Sequence, residues 1–178
     1  MRRRAKPRQE TAGAPPSLGR SVVFRLIRLV NLAARPFAER IGRPHRLTLP
    51  EWRVLVVLAA RPGSTGAEIA YESGLDKMAV SRAIAALEGA GRAVRARDAA
   101  DRRMERIALS AEGDALYRLI AKSARRREDV LMSRLGQAER RALGLAVDKM
   151  IDALVAADHL DAGARRGARR LGAATKNR

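Results

Sequence analysis

Apolar residues recur at helical spacing along most of the chain, and the breaks in that rhythm divide it into elements. Leu26, Leu29, Val30 and Ala33 fit one face of a first helix over about Leu18 to Ile41, with Pro36 placed to end or kink it. Leu47-Thr48-Leu49-Pro50 opens a second helix over Glu51 to Ala60. Thr48 or Leu49 stands near its cap, Pro50 sits in its first turn, and Arg61-Pro62-Gly63 stops it. Two short helical segments follow, Gly66 to Ser73 and Lys77 to Glu88, separated by Gly74, Leu75 and Asp76, the last a good N-cap. In the second segment Val80, Ala83, Ile84 and Leu87 share one face, while Met78, Ser81, Arg82 and Ala85 take the other.

The pattern then changes. Arg92 to Arg97 (RAVRAR) and Met104 to Leu109 (MERIAL) have short-strand character and are joined by a charged turn from Asp98 to Arg103, which predicts a β-hairpin. Ser110-Ala-Glu-Gly113 opens a long helix to about Leu135, with Ser110 as its cap. Gly136 interrupts it, and a last helix over about Gln137 to Ala157 carries Leu143, Val147, Met150, Ile151 and Leu154. Two short helices around a glycine-containing turn, followed at once by a basic hairpin, outline a winged helix-turn-helix. The predicted fold is mainly α with a small β-wing. An α-helix fits the major groove of B-DNA, and the second helix of such a motif presents its N-terminal residues to base edges. Its positive dipole end also favours phosphate.

Charge supports that outline. The chain of 178 residues carries 37 Lys and Arg against 19 Asp and Glu, a formal charge of +18 that attracts polyanions, chiefly nucleic acid. Residues 1–20 and 161–178 each hold six basic side chains and one acidic one, so the stretch between them is basic as well, at +8. Residues 1–17, with three prolines and few apolar side chains, are expected to be a disordered basic arm, and 161–178 a disordered basic tail in which Gly163, Gly167 and Gly172 argue against a helix. With no cysteine, disulfides, thiolate zinc sites, cysteine nucleophiles and thiol redox sensing are excluded. No signal peptide and no membrane span is expected, because Lys6 to Gly19 is polar and Arg25 and Arg28 break the first apolar stretch; a cytoplasmic location follows as an expectation.

The order and spacing of LTLPEWRVLVVLA, GAEIAYESGLDKMAVSRAIAALEGAG, the wing turn DAADRR and IALSAEGDALY resemble the MarR family, from Leu49 to about Leu154. The resemblance implies a DNA-binding regulator with a winged helix-turn-helix over about 48–110. Dimerisation helices would cover about 18–41 and 111–157, within a domain spanning 18–160. Lys77, Met78, Ala79, Ser81 and Arg82 match the start of the family's recognition helix, with Ser81 and Arg82 as base contacts and Lys77 as a phosphate contact. Arg103 matches the arginine inserted into the minor groove from the wing tip, Asp101 the acid that holds it, and Arg97 the wing flank. Met78 and Ala79 stand where many members carry Ser or Thr, and there leave apolar contact with a thymine methyl. Arg92, Arg95, Arg106 and the run Arg125-Arg126-Arg127 suit solvated surface and phosphate contact equally well.

The resemblance also implies a homodimer, since the first helix and the last two carry more apolar surface than a small winged domain buries. The two recognition helices would then face half-sites about one DNA turn apart, ~10 bp, on double-stranded DNA. A small, often phenolic or carboxylated, effector would bind between the dimer helices and the DNA-binding lobe, where His45 and Trp52 are candidate lining residues. Trp52 suits a core or interface aromatic as well, and His45 an ordinary boundary histidine. No catalytic motif is present, and neither cofactor nor metal is expected, because His45 and His159 are isolated in sequence. The leading reading is a regulator, probed against a non-specific architectural nucleic-acid binder driven by its tails, and against a winged protein-interaction module that does not bind DNA.

Overall fold

The computed structural model describes residues 21–98 and 101–174, with side chains as far as residue 157. The expected arm at 1–17 lies outside the described residues. The chain divides into two compact units, one ending at Ala124 and the other starting at Arg125.

Helix α1 runs Val22–Ala34, opened by the Ser21 hydroxyl accepting the Phe24 amide at 3.0 Å, and none of its residues is buried. It does not continue to Ile41 as expected. Pro36 has no amide to donate and its ring crowds the preceding turn. Beyond it, Ala38–Gly42 forms a wider π-type turn leading into a short α2, Arg43–His45, which ends at Arg46 with a φ of +46°. Helices α3 (Leu49–Ala60) and α4 (Gly66–Ser73) both start on capping boxes. Thr48 and Glu51 exchange bonds of 3.4 and 3.1 Å, and Thr65 and Glu68 bonds of 3.3 and 2.7 Å. Gly74, at a φ of +65°, turns the chain out of α4 in a conformation that glycine adopts without strain. Asp76 then caps α5 (Lys77–Gly89), its carboxylate accepting the Ala79 amide at 2.8 Å.

Strands β1 (Ala93–Arg97) and β2 (Glu105–Leu109) pair antiparallel, Arg95 opposite Ile107 and Arg97 opposite Glu105. Ser64 bridges to Ile107 on the far side of β2, which ties the α3–α4 connection to the hairpin. Val54, Leu55, Leu58, Ile69, Val80 and Leu87 are fully enclosed and, with Ile84, Ile107 and Ile120, form one core. Each such side chain contributes about 1.5–3 kcal/mol by leaving water. That core fixes which face of α5 is outward. Val80, Ala83, Ile84 and Leu87 are buried, as the periodicity predicts, and Met78, Ser81, Arg82 and Ala85 are exposed.

Helix α6 (Ala111–Met132) begins where expected, with Ser110 accepting the Gly113 amide at 3.1 Å and donating to the Gly91 carbonyl at 2.6 Å. Gly113 is buried against the backbone of Arg92. A Cβ there would stand 1.9 Å from the Arg92 carbonyl oxygen. Past Ala124, α6 ends at Met132, three residues short of the expected Leu135. Arg140 accounts for the stop by donating to the Met132 and Leu135 carbonyls at 2.8 and 3.0 Å. Helix α7 spans Gln137–Ala174, well past the expected end near Ala157 and through most of the segment expected to be a disordered tail. The glycines at 163, 167 and 172 each cost about 1 kcal/mol relative to alanine. Extending an existing helix needs no new nucleus, and the alanines, arginines and leucine between them favour it. No described helix is long and apolar enough to cross a membrane.

Candidate nucleic-acid interface

The first turns of α5 and the hairpin border an open groove of about 510 Å³. Lys77 and Ser81 stand on its helix side, Arg103 and Met104 on its hairpin side, and Val80, Ile84 and Ile107 lie beneath. Thr65 and Gly66, at the start of α4, also line it. Sequence reasoning passed over those two residues; the signal for them was the Thr65-x-x-Glu68 spacing, which marks a helix start. The N-termini of α4 and α5 thus both border the groove, and helix N-termini carry partial positive charge.

The residues expected to meet DNA lie on α5 and the hairpin. Lys77, Met78, Ser81 and Arg82 are exposed on α5, Met78 at 65% of its full surface, whereas Ala79 is half-buried. Arg97 ends β1 with its side chain exposed, and Arg103 is exposed at the hairpin turn. Among the described residues, the side chains of Lys77, Arg82, Arg97 and Arg103 have no hydrogen-bond or ion-pair partner. The Asp101 carboxylate accepts the Arg103 backbone amide at 2.9 Å, and its carbonyl accepts the Met104 amide at 2.9 Å. Asp101 therefore fixes the backbone that carries Arg103 and leaves the guanidinium unengaged. Its own amide donates to Asp98 at 3.1 Å, closing the turn. Arg102, unremarked in the sequence, is exposed beside it.

Three other arginines of the lobe, Arg92, Arg95 and Arg106, are engaged inside it. Arg92 donates to the His45 carbonyl at 2.7 Å and the Arg46 carbonyl at 3.2 Å, pinning the α2–α3 connection to the base of the hairpin. Arg95 grips Glu88 of α5 with a two-bond fork, at 3.0 and 2.9 Å, and also reaches Glu105 of β2. Arg106 bonds Asp98 at 2.7 Å and the Gly63 carbonyl at 3.3 Å, with Glu68 3.6 Å away. Hydrogen bonds to Glu88 and Glu105 hold the Arg95 guanidinium protonated above its ordinary range, and the bond to Asp98 does the same for Arg106. The Thr65 amide and hydroxyl keep the Glu68 carboxyl below its ordinary value. For these three arginines, which sequence left between solvated surface and phosphate contact, the answer is a third one: internal acceptors.

Of the candidate effector residues, Trp52 is half-buried against the core and stacks on Tyr117, ring centroids 5.8 Å apart and planes 22° apart. His45 is half-buried, its carbonyl taken by Arg92. The rings of Trp52 and Tyr117 thus form one aromatic surface, which the separation of 65 positions hides in the sequence.

Comparison with known proteins agrees with this geometry. The profile of the MarR family matches residues 46–104. The homoprotocatechuate degradative operon repressor of Escherichia coli is 29% identical over 85 residues, covering 48% of this chain and 57% of that protein. The chain thus spans little more than half the length of the curated relatives it matches. The transcriptional repressor CouR, solved on a 23-mer DNA duplex, is 31% identical with a TM-score of 0.63, over 76% of this chain and 95% of CouR. NadR in complex with 4-hydroxyphenylacetate shares the fold, with 23% identity and a TM-score of 0.67 over 82% of this chain and 98% of NadR. With its helix-turn-helix, its two-stranded wing and these relatives, the chain belongs to the MarR family, whose fold is that of winged-helix transcriptional regulators and not of enzymes.

Proposed function

We propose that the protein is a sequence-specific DNA-binding transcriptional repressor, acting as a homodimer on a pseudo-palindromic operator and responsive to a small-molecule effector. The observation that carries this reading is the set of exposed cations on the α5 helix and the wing, Lys77, Arg82, Arg97 and Arg103, that have no partner among the described residues, Lys77 and Arg103 lining the groove. An unpaired, exposed guanidinium has its donors free for phosphate oxygens or base edges. Ser81 and Arg82 read the major groove, Arg103 enters the minor groove from the wing, and Lys77 and Arg97 meet phosphates. Met78 supplies apolar contact beside them. CouR on its duplex supports DNA as the partner.

The homodimer is supported by exposed apolar surface. Val22, Val23, Phe24, Ile27, Val30 and Leu32 of α1 are all exposed, as are Leu145, Ile151 and Leu154 of α7. Exposed apolar surface of this extent marks an interaction site. An effector carrying an aromatic ring and a carboxylate is supported by the Trp52–Tyr117 pair and by the ligand in NadR, and it acts by favouring a subunit arrangement that does not fit the operator. The basic segments 1–17 and 161–178 add attraction for any duplex.

Selection from a pool of randomised duplex DNA tests this function. Recovery of a pseudo-palindrome with half-sites about one turn apart, ~10 bp, is the expected result. Retention of every sequence alike, with affinity vanishing as salt rises, would replace it with the non-specific architectural reading.

A further inference from the structure

One side chain that borders the groove also joins the wing to α5. Arg95 lies on β1, yet its guanidinium forks onto Glu88 of α5 at 3.0 and 2.9 Å while a third nitrogen reaches Glu105 on β2. Glu88 belongs to the helix that carries Lys77, Ser81 and Arg82, and Glu105 stands two residues beyond Arg103. One planar group therefore ties the recognition helix to the strand that leaves the wing tip.

The charge of this trio makes a direct DNA contact a poor use for it. One arginine between two carboxylates leaves a net charge of −1 beside the groove proposed for DNA, so the cluster opposes binding in Coulomb terms. Arg95 has no surplus charge to offer a phosphate, since two of its nitrogens are committed to Glu88 and one to Glu105. A planar guanidinium with donors in a fixed fork is suited to setting distance and angle, which an ammonium is not. Building on the DNA-binding reading above, we infer that Arg95 is a positioning residue: it locks the wing to α5 so that Arg82 and Arg103 engage one duplex together, without touching DNA itself.

Two conservative variants separate this role from phosphate contact and from simple folding. Arg95→Lys keeps the charge and loses the fork; Glu88→Gln removes one negative charge from the cluster. Binding is measured on a labelled duplex recovered by the selection described above, across a range of salt. Hydrogen exchange of the free protein follows the amides of Ala93–Arg97 and Glu105–Leu109 against those of α3. The expected result is that both variants bind roughly fivefold more weakly, with the slope of log affinity against log salt unchanged. The wing amides exchange faster in both while α3 holds its protection. The inference is overturned if Glu88→Gln binds as tightly as the parent or tighter, as loss of a repulsive charge alone would give. It is equally overturned if Arg95→Lys binds normally while Arg95→Ala lowers the salt slope, the mark of a phosphate contact. Should the parent protein retain all duplexes alike, the specific-regulator reading fails by itself. The exchange arm still decides whether Arg95 holds the wing: faster exchange in both variants upholds the lock, and unchanged exchange removes it.

Discussion

Along the wing Arg92, Arg95 and Arg106 each reach acceptors within the lobe, whereas Arg82 on the α5 helix and Arg97 and Arg103 on the hairpin reach none among the described residues. The two sets lie within 25 positions of each other and are the same residue type, so composition does not separate them. Their surroundings do. Glu68, Glu88, Asp98 and Glu105 draw Arg95 and Arg106 inward, and the His45 and Arg46 carbonyls draw Arg92. The +18 charge of the chain therefore overstates what the wing offers to DNA, since three of its arginines are turned to acceptors within the lobe.

The comparison is broken most severely by attacking the joint on which the engaged set rests. Gly113→Ala forces a methyl group onto the Arg92 carbonyl and is expected to lower stability by about 2–3 kcal/mol, read by chemical denaturation. If the variant keeps the parent midpoint, the close packing of α6 on the wing base is not what holds that joint.

Arg82→Ala and Arg103→Ala address the unpartnered set. Each is expected to cost about 1–3 kcal/mol in binding to the selected operator, with thermal stability unchanged. Equal losses on target and random duplexes would show that neither reads sequence. Arg92→Ala should behave in the opposite way: stability falls by about 1–2 kcal/mol as two charge-assisted bonds disappear, and the salt slope of DNA binding stays the same. The smallest effect on discrimination is expected from deleting 1–17 and 161–178. Affinity should drop by a similar factor on every duplex, and the slope should become shallower by roughly 0.9 for each phosphate that the segments neutralise in the parent. Loss of discrimination between target and random DNA on this truncation would place sequence reading in the tails.

Most of the lobe was legible in the sequence because its signals are local. The Gly74 turn, the Asp76 cap, the core face of α5 and the hairpin each depend on residues within a few positions of one another, and the structure has them where the periodicity puts them. The first helix breaks near Pro36, where proline predicts an end or kink. The misread end is that of the last helix, which runs on through three glycines, because propensity sets a cost and the neighbouring residues decide whether it is met. The arginine partners were not legible at all. Arg92 meets carbonyls 46 and 47 positions earlier, and Trp52 meets Tyr117 across 65, distances at which only the fold brings groups together. Arg95 and Glu88 are seven apart, yet the chain between them reverses from helix to strand, so no helical or strand spacing announces the pair.

The division of the arginines is tested most directly by the salt dependence of operator binding, measured side by side for Arg82→Ala, Arg103→Ala, Arg92→Ala and Arg106→Ala. Arg103→Ala removes a cation that displaces condensed counterions from the minor groove and is expected to reduce the slope by roughly 0.9, and Arg82→Ala to lower affinity and discrimination together. Arg92→Ala and Arg106→Ala are expected to leave the slope where it is. A reduced slope in Arg92→Ala or Arg106→Ala, matched by an unchanged one in Arg103→Ala, would contradict the assignment of internal and DNA-facing roles.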